Sequence, residues 1–454
     1  MTLPPATRRG PRDLSPYGAA EMAESRSGRD RRSGREWIVA RVVAIGIAVT
    51  GQLSAADQTP TKDDFIQDFD YATREIGSTY AYFDAKATSW SDVPRLYRAD
   101  LRQVTTRDEF VGLLERVLDE LYDAHAQLNV NTATSPRLVP SGSDLWAEWR
   151  GTLAIVTQVR PDSDAERAGI KPGAIIVAIN SVSIEDAVES RLGRTYAHST
   201  RAARDWALRA VLAGHHNAAR VLQVREGGTK RTVELPARDQ YGAAAPTLVN
   251  HSVIRPGIGY IRLNDSLGND ATVEAFDRAL GDLRETRALI VDLRDTPSGG
   301  NSRVARGILG RFAVREMPYQ KHVLPSEERE AGVRRSWLEL VSPRGAFVYR
   351  GPVAVLVDHW TGSMGEGLAI GFDAIDSGTV IGTPMAGLAG ATYSVTLPRT
   401  GIGMNVPAER LFHVDGTPRE AFRPKIGVDV ELSDDDADPF VRAALRSFEA
   451  PAGR

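Results

Sequence analysis

Apolar and polar positions fall into three successive textures along the chain. From Asp63 to about Val130 the apolar residues recur mostly at three and four positions: Phe65, Phe69, Ile76, Tyr80 and Phe83, then Phe110, Val111, Leu113, Leu114, Val117, Leu118 and Leu121. That spacing lines one face of amphipathic helices. Thr106 followed by Glu109, just ahead of Phe110, reads as a capping box that starts one of them. The same periodicity predicts its end near Tyr122, which delivers Asp123, Ala124 and His125 into a loop.

From roughly 146 to 238 the texture changes to short strands. Leu153–Val156 and Ile175–Ile179 are apolar runs, and Val221–Val224 faces Thr232–Leu235 across Glu226, Gly227 and Gly228, a hairpin signal. Between the first two runs a short helix is stopped by Gly169, and Pro172 and Gly173 turn the chain into the next strand. From about 250, apolar strands alternate with amphipathic helices. The strands are Gly259–Leu263, Ala288–Leu293, Val353–Val357 and Thr379–Gly382, and the helices fall near Val273–Leu283, Ser302–Phe312 and after Ser363. Such alternation predicts βαβ units and a sheet covered on both faces, giving a mixed α/β protein overall. The acidic run Ser433–Asp438 is predicted to be surface, followed by a short helix.

Composition narrows the possible functions. The 454 residues carry a net charge of −3, which supplies no basic field for nucleic acid. There is no cysteine, so a thiolate nucleophile, a disulfide scaffold and a cysteine-ligated metal site are excluded. Residues 1–36 are rich in Arg, Ser, Gly and Pro and predict no structure. The apolar run Trp37–Gly51 follows several arginines and precedes Ser54, Ala55 and Ala56, the pattern of a secretory signal. It is shorter than the ~20 residues a membrane span needs. The expectation is export to a periplasmic or extracellular location, with residues 37–51 as the only membrane contact if they stay uncleaved.

Four segments in order resemble the carboxyl-terminal processing protease family and its tricorn-like relatives. Ala165–Ile179 is similar to that family's PDZ domain, Asp292–Asn301 to its D-x-R…G-G loop, Thr361–Ala369 to its nucleophile segment, and Asp123–His125 to the element that closes its helical region. The implied layout is a leader and signal segment (1–56), a helical N-terminal region (57–145), a PDZ-like domain (146–240), a crotonase-like α/β serine peptidase core (250–435) and a C-terminal tail (436–454). The resemblance implies polypeptide substrates, engaged through a PDZ-like groove entered at Arg150–Leu153, and no cofactor or metal.

Ser363 follows an apolar strand and precedes an apolar helix, a tight turn that would expose its hydroxyl at the positive end of that helix. An N-cap serine would have the same local sequence. The processing proteases pair their serine with a lysine in a G-x-x-x-x-G-K element; here Gly382–Leu388 carries Leu388 at the lysine position. The tricorn-like variant implies His125 as the base, and a neutral imidazole with a pKa of about 6.5 suits that task. His359 and His413 are competing histidines. Glu420, in Pro418–Pro424, is the implied orienting carboxylate, with Asp123 as a local alternative and Glu366 a helix-capping group. Backbone N–H groups of Gly299 or Gly300, with that of Met364, are the implied oxyanion donors, each worth ~3–4 kcal/mol. Asp292 and Arg294 are expected to pair and hold the loop. Two other readings remain: an inactive relative that binds peptides or apolar ligands, and a Ser–Lys peptidase that recruits Lys425.

Overall fold

The computed structural model describes residues 59–195, 200–238, 247–430 and 438–449. The expected leader and signal segment, and residues 433–437 of the acidic run, lie outside the described residues. The N-terminal periodicity folds as three helices, Lys62–Thr79, Val93–Leu101 and Arg107–Asp119. Thr106 and Glu109 form the capping box. The third helix stops at Asp119, three residues short of the expected end. Glu120 and Tyr122 explain the early stop. Tyr122 has a positive φ of 34°, and the buried Glu120 carboxylate accepts from Tyr97 Oη (2.7 Å), Arg194 N (2.6 Å) and Thr195 Oγ1 (2.8 Å).

Residues 145–235 form an antiparallel sheet in the order Leu145–Arg150, Leu153–Val159, Ile175–Ile179, Arg220–Glu226, Thr229–Leu235. The helix Arg201–Ala213, which its sequence pattern did not announce, packs on the edge strand Leu145–Arg150; Trp149 N–H donates to Asp205 Oδ1 (2.8 Å). Residues 150–153 are a tight hairpin turn, with Gly151 at φ 61° and Arg150 paired to Leu153.

The third texture gives the expected parallel sheet. Ile426–Gly427, Thr379–Gly382, Val353–Val357, Ala288–Asp292 and Ile258–Leu263 run parallel, and Val249–Arg255 closes the edge antiparallel. Helices Ala271–Asp282, Ser302–Leu309 and Met364–Ala374 cover one face, and the helix Pro439–Glu449 covers the other through Phe440, Ala443 and Ala444. Another sheet was not foreseen. Gly403–Phe412 pairs with Met317–Leu324, Ala391–Thr396 and Gln127–Leu128, and Arg335–Val341 lies beyond Met317–Leu324. Its outer face keeps Leu338 and Leu340 exposed, which blurs the apolar alternation that marks a strand. Among the described residues no helix is long and apolar enough to cross a membrane.

The antiparallel sheet is tied to the parallel one at the loop ahead of Ser363, and also where Arg160 pairs with Asp295 (3.1 Å). Gln158 Nε2 donates to Asp358 Oδ2 (2.9 Å), Trp360 Nε1 donates to Ser143 O (2.9 Å), and Trp146 stacks on His359 with ring centres 4.5 Å apart. The connection into the edge strand is fixed by a buried bidentate pair, Arg220 to Asp144 (2.8 Å twice). Asp144→Ala leaves that guanidinium buried and uncompensated. It is expected to lower stability by about 3–5 kcal/mol, measured as the denaturant midpoint and slope; a shift under 1 kcal/mol would show the pair to be dispensable.

Candidate active site

Ser363 stands between the strand Val353–Val357 and the helix Met364–Ala374, with φ 50° and ψ −111°. A positive φ at a non-glycine residue is strained, and the surroundings enforce it. Ser363 N–H donates to Glu366 Oε2 (2.9 Å). The same carboxylate accepts from Gly387 N (2.9 Å, Oε1) and Leu388 N (3.2 Å, Oε2). Glu366 is thus more than the expected helix cap. It joins the serine turn to the loop 387–390. It is fully buried, and burial pushes its carboxyl up to about 7 although Arg419 and the N–H donors favour ionisation.

The glycine loop closes on the serine, and a second segment meets the loop 387–390. Gly299, at φ 68°, lies so near that a Cβ there would overlap Ser363 Cβ, so only glycine fits. Thr296 O accepts from both Gly299 N and Gly362 N (3.2 Å each), which stitches the glycine loop to the serine loop. The Gly299 N–H is therefore engaged. Among the described residues, those of Gly300 and Met364 make no backbone hydrogen bond. Asp292 and Arg294 pair as expected (2.6 Å), and Arg294 also holds Asp438 (2.7 Å) ahead of the C-terminal helix.

His125 belongs to the second segment. Its N–H donates to Asp123 Oδ1 (3.0 Å), and Asp123 Oδ2 accepts from Tyr80 Oη (2.7 Å). Its Nδ1 bonds Ala389 O (2.8 Å), one residue beyond Leu388. A carbonyl can only accept, so Nδ1 carries the proton and Nε2 keeps its lone pair. Burial, and then the Arg419 charge, push the imidazole pKa below its ordinary value. Arg419 fixes this loop by donating to Leu388 O (2.9 Å) and Gly390 O (2.7 Å). It stands beside Glu420, yet sequence reasoning assigned it no role, because a buried arginine that holds loop carbonyls has no motif.

The other candidates fall elsewhere. No hydrogen bond joins Glu420 to His125 among the described residues; the Ala389 carbonyl occupies the nitrogen that Glu420 was expected to orient, and Glu420 Oε2 is buried without a partner. His359 is stacked on Trp146, and burial, reinforced by the Arg209 charge, lowers its pKa to about 3. His413 lies by Asp373 and Asp415, at the far end of the helix that Ser363 begins. Lys425 lines a cleft with Val353 and Thr379, at the opposite ends of the strands from Ser363. Leu388 is buried, and its Cδ1 would lie 3.2 Å from a Cβ on Gly362. A neighbouring cleft of about 480 Å³ runs between Trp146, Asp205 and Arg209 on one side and His359, Met385, Ala389, Lys86 and Glu420 on the other.

Comparison with known proteins shows what the chain is similar to. Residues 257–431 match peptidase family S41, residues 155–194 a PDZ domain, and residues 61–119 the tricorn protease C1 domain. The chain is thus similar to the S41 peptidases over residues 257–431 and to a PDZ domain ahead of that segment. Carboxy-terminal processing protease CtpB of Bacillus subtilis is 27% identical over 228 residues, 48% of this chain and 40% of that protein. The match thus spans less than half of that relative's length. Among solved structures, the photosystem II D1 C-terminal processing protease aligns at 18% identity and TM-score 0.51, over 83% of this chain and 96% of the other. Mature CPAF aligns at 16% and TM-score 0.55, over 81% and 93%. At these identities the likeness establishes the fold.

Glu366→Ala removes the acceptor of three backbone N–H groups and is expected to cost about 3 kcal/mol. Because the folded-state pKa lies above the unfolded one, the carboxyl binds its proton more tightly in the fold. Its contribution is complete below about pH 4.5 and lost as pH rises through about 7. The stability gap between parent and variant, from denaturant unfolding at several pH values, should narrow over that interval; a gap that widens would reverse the assignment.

Proposed function

We propose that the protein is an exported serine endopeptidase in which Ser363 attacks and His125 is the general base. The observation that supports this is that one loop, 387–390, is bonded both to the turn of a strained, glycine-flanked serine, through Glu366, and to the Nδ1 of His125, through Ala389 O. In the proposed reaction His125 Nε2 takes the Ser363 hydroxyl proton as Oγ bonds the peptide carbonyl carbon. The N–H groups of Gly300 and Met364 face the oxygen as it gains charge. The imidazolium then returns its proton to the leaving nitrogen as the C–N bond breaks, and water repeats the cycle on the acyl-enzyme.

The positioning work assigned to Glu420 passes in this reading to Ala389 O and, through the backbone, to Asp123. Glu420 is left as a carboxylate in the cleft wall. Polypeptide substrates would enter along that cleft, bounded by the PDZ-like strand and helix, rather than at the Arg150–Leu153 turn. Leu388 in place of lysine favours the second reading, an inactive binding protein, while the remoteness of Lys425 speaks against a Ser–Lys pair.

Cleavage of an unfolded polypeptide separates these readings. Ser363→Ala and His125→Ala should each lose at least about 10³-fold in kcat/KM, and Lys425→Ala should stay within twofold of the parent. Since burial depresses the His125 pKa, the acid limb of kcat/KM should lie below pH 6.5. No cleavage by the parent would favour the binding protein, and loss in Lys425→Ala alone would favour the Ser–Lys pair.

A further inference from the structure

A second group of titratable side chains lies in the unforeseen sheet. His322, 8% exposed, sits on the strand Met317–Leu324 between two carboxylates. Its Nδ1 is 2.7 Å from Glu409 Oε2, and its Nε2 is 3.2 Å from Glu339 Oε2 and 3.1 Å from Gln320 Nε2. Trp337, its cross-strand partner, stacks on the ring at 4.8 Å. The imidazole bonds both carboxylates only when both nitrogens carry protons, and the Gln320 amide then presents its oxygen rather than its NH2 to Nε2, which also gives the otherwise unpartnered Oε1 a donor. Burial alone would lower the pKa; the bonds to Glu339 and Glu409 outweigh it and raise it above the ordinary histidine value. The charged and titratable neighbours on other elements are Arg306 (3.5 Å from Glu339), Arg335 against Trp337, and Tyr393, whose hydroxyl donates to Glu409 Oε1 (2.7 Å).

What distinguishes the group is where its members end. Gln320 is 1% exposed, and a Cβ on Gly367, in the first turn of the Ser363 helix, would lie 3.2 Å from its Oε1 and 3.1 Å from Met364 Sδ. Glu339 has its carboxyl lowered below the usual range, against burial, by His322 and by the neighbouring Tyr319 and Ser302. Ser302 lies two residues beyond Gly300. The Glu409 carbonyl abuts Gly390, where a Cβ would overlap it, and Gly390 adjoins the Ala389 carbonyl that holds His125. The neighbours of this imidazole therefore adjoin the serine helix, the glycine loop and the histidine-holding loop.

We propose that His322, clamped between Glu339 and Glu409, is a positioning residue that holds these three segments in register. The inference rests on the peptidase reading of Ser363 and His125. While His322 is charged, each carboxylate has its counter-ion. As pH rises through its folded-state value, Glu339 and Glu409 are left facing one another without the cation between them, and the register loosens.

The test is the rate of Ser363 labelling by a fluorophosphonate from pH 5.5 to 9 on the full chain, beside thermal midpoints at each pH. The parent should show a falling alkaline limb. His322→Gln, which cannot be charged, should label about 5–10-fold more slowly at pH 6 and lack that limb. His322→Lys, a cation across this range, should restore much of the rate. The midpoint gap between parent and His322→Gln should be widest in acid and narrow as pH rises. If His322→Gln fails to fold, Glu409→Gln should weaken the limb in the same direction. Rates and midpoints that keep a constant ratio and gap at every pH would reduce the cluster to packing and overturn the proposal. A parent that is never labelled would overturn the peptidase reading, and this one with it.

Discussion

Glu366 takes the backbone N–H groups of Ser363, Gly387 and Leu388 on its two oxygens, with no side-chain exposure to water. The geometry around the serine depends on that carboxylate. It holds Ser363 in a left-handed conformation that a free chain avoids, and it fixes the loop whose next carbonyl, at Ala389, sets the tautomer of His125. Arg419 completes the clamp from the other side, on Leu388 O and Gly390 O. Its guanidinium lies 4.0 Å from Glu366 Oε2. An apolar residue at 388 is consistent with this arrangement. The position contributes its N–H and carbonyl, while its side chain packs against the serine turn.

The same loop system is where the PDZ-like sheet meets the core. Asp358 and His359, shortly before the serine turn, each take a partner from that sheet, and Trp360 takes one from Ser143 just ahead of it. The cleft between them is bounded by both units, so a polypeptide lying along the edge strand and helix Arg201–Ala213 would have its chain beside Met385–Ala389. Strain at Ser363, capture of the His125 ring and the shape of the cleft are thus consequences of one set of packed loops.

Much of this was legible in the residues. The strands Val353–Val357 and Thr379–Gly382 have the bounds their apolar runs predict, and the Thr106 capping box forms because its two residue types have few other uses in that order. Ser363, Gly299, Met364 and His125 could be singled out by their places between predicted elements and by resemblance. The missed parts share a physical cause. The sheet around His322 exposes apolar residues on one face and buries charged ones on the other, so its pattern inverts the usual signal. Arg419 and the Ala389 carbonyl act through backbone bonds, which any residue at 388–390 could provide. Glu420 was transferred from a pattern in which a carboxylate meets the histidine, and here a carbonyl stands in that place.

The most direct measurement is the site of covalent modification. The full chain would be reacted with a fluorophosphonate at pH 7, digested, and the adduct mapped by mass spectrometry in the parent and in His125→Ala. The account predicts a single adduct on Ser363 that is absent in the variant. An adduct on another residue, or one on Ser363 formed equally without His125, would contradict it.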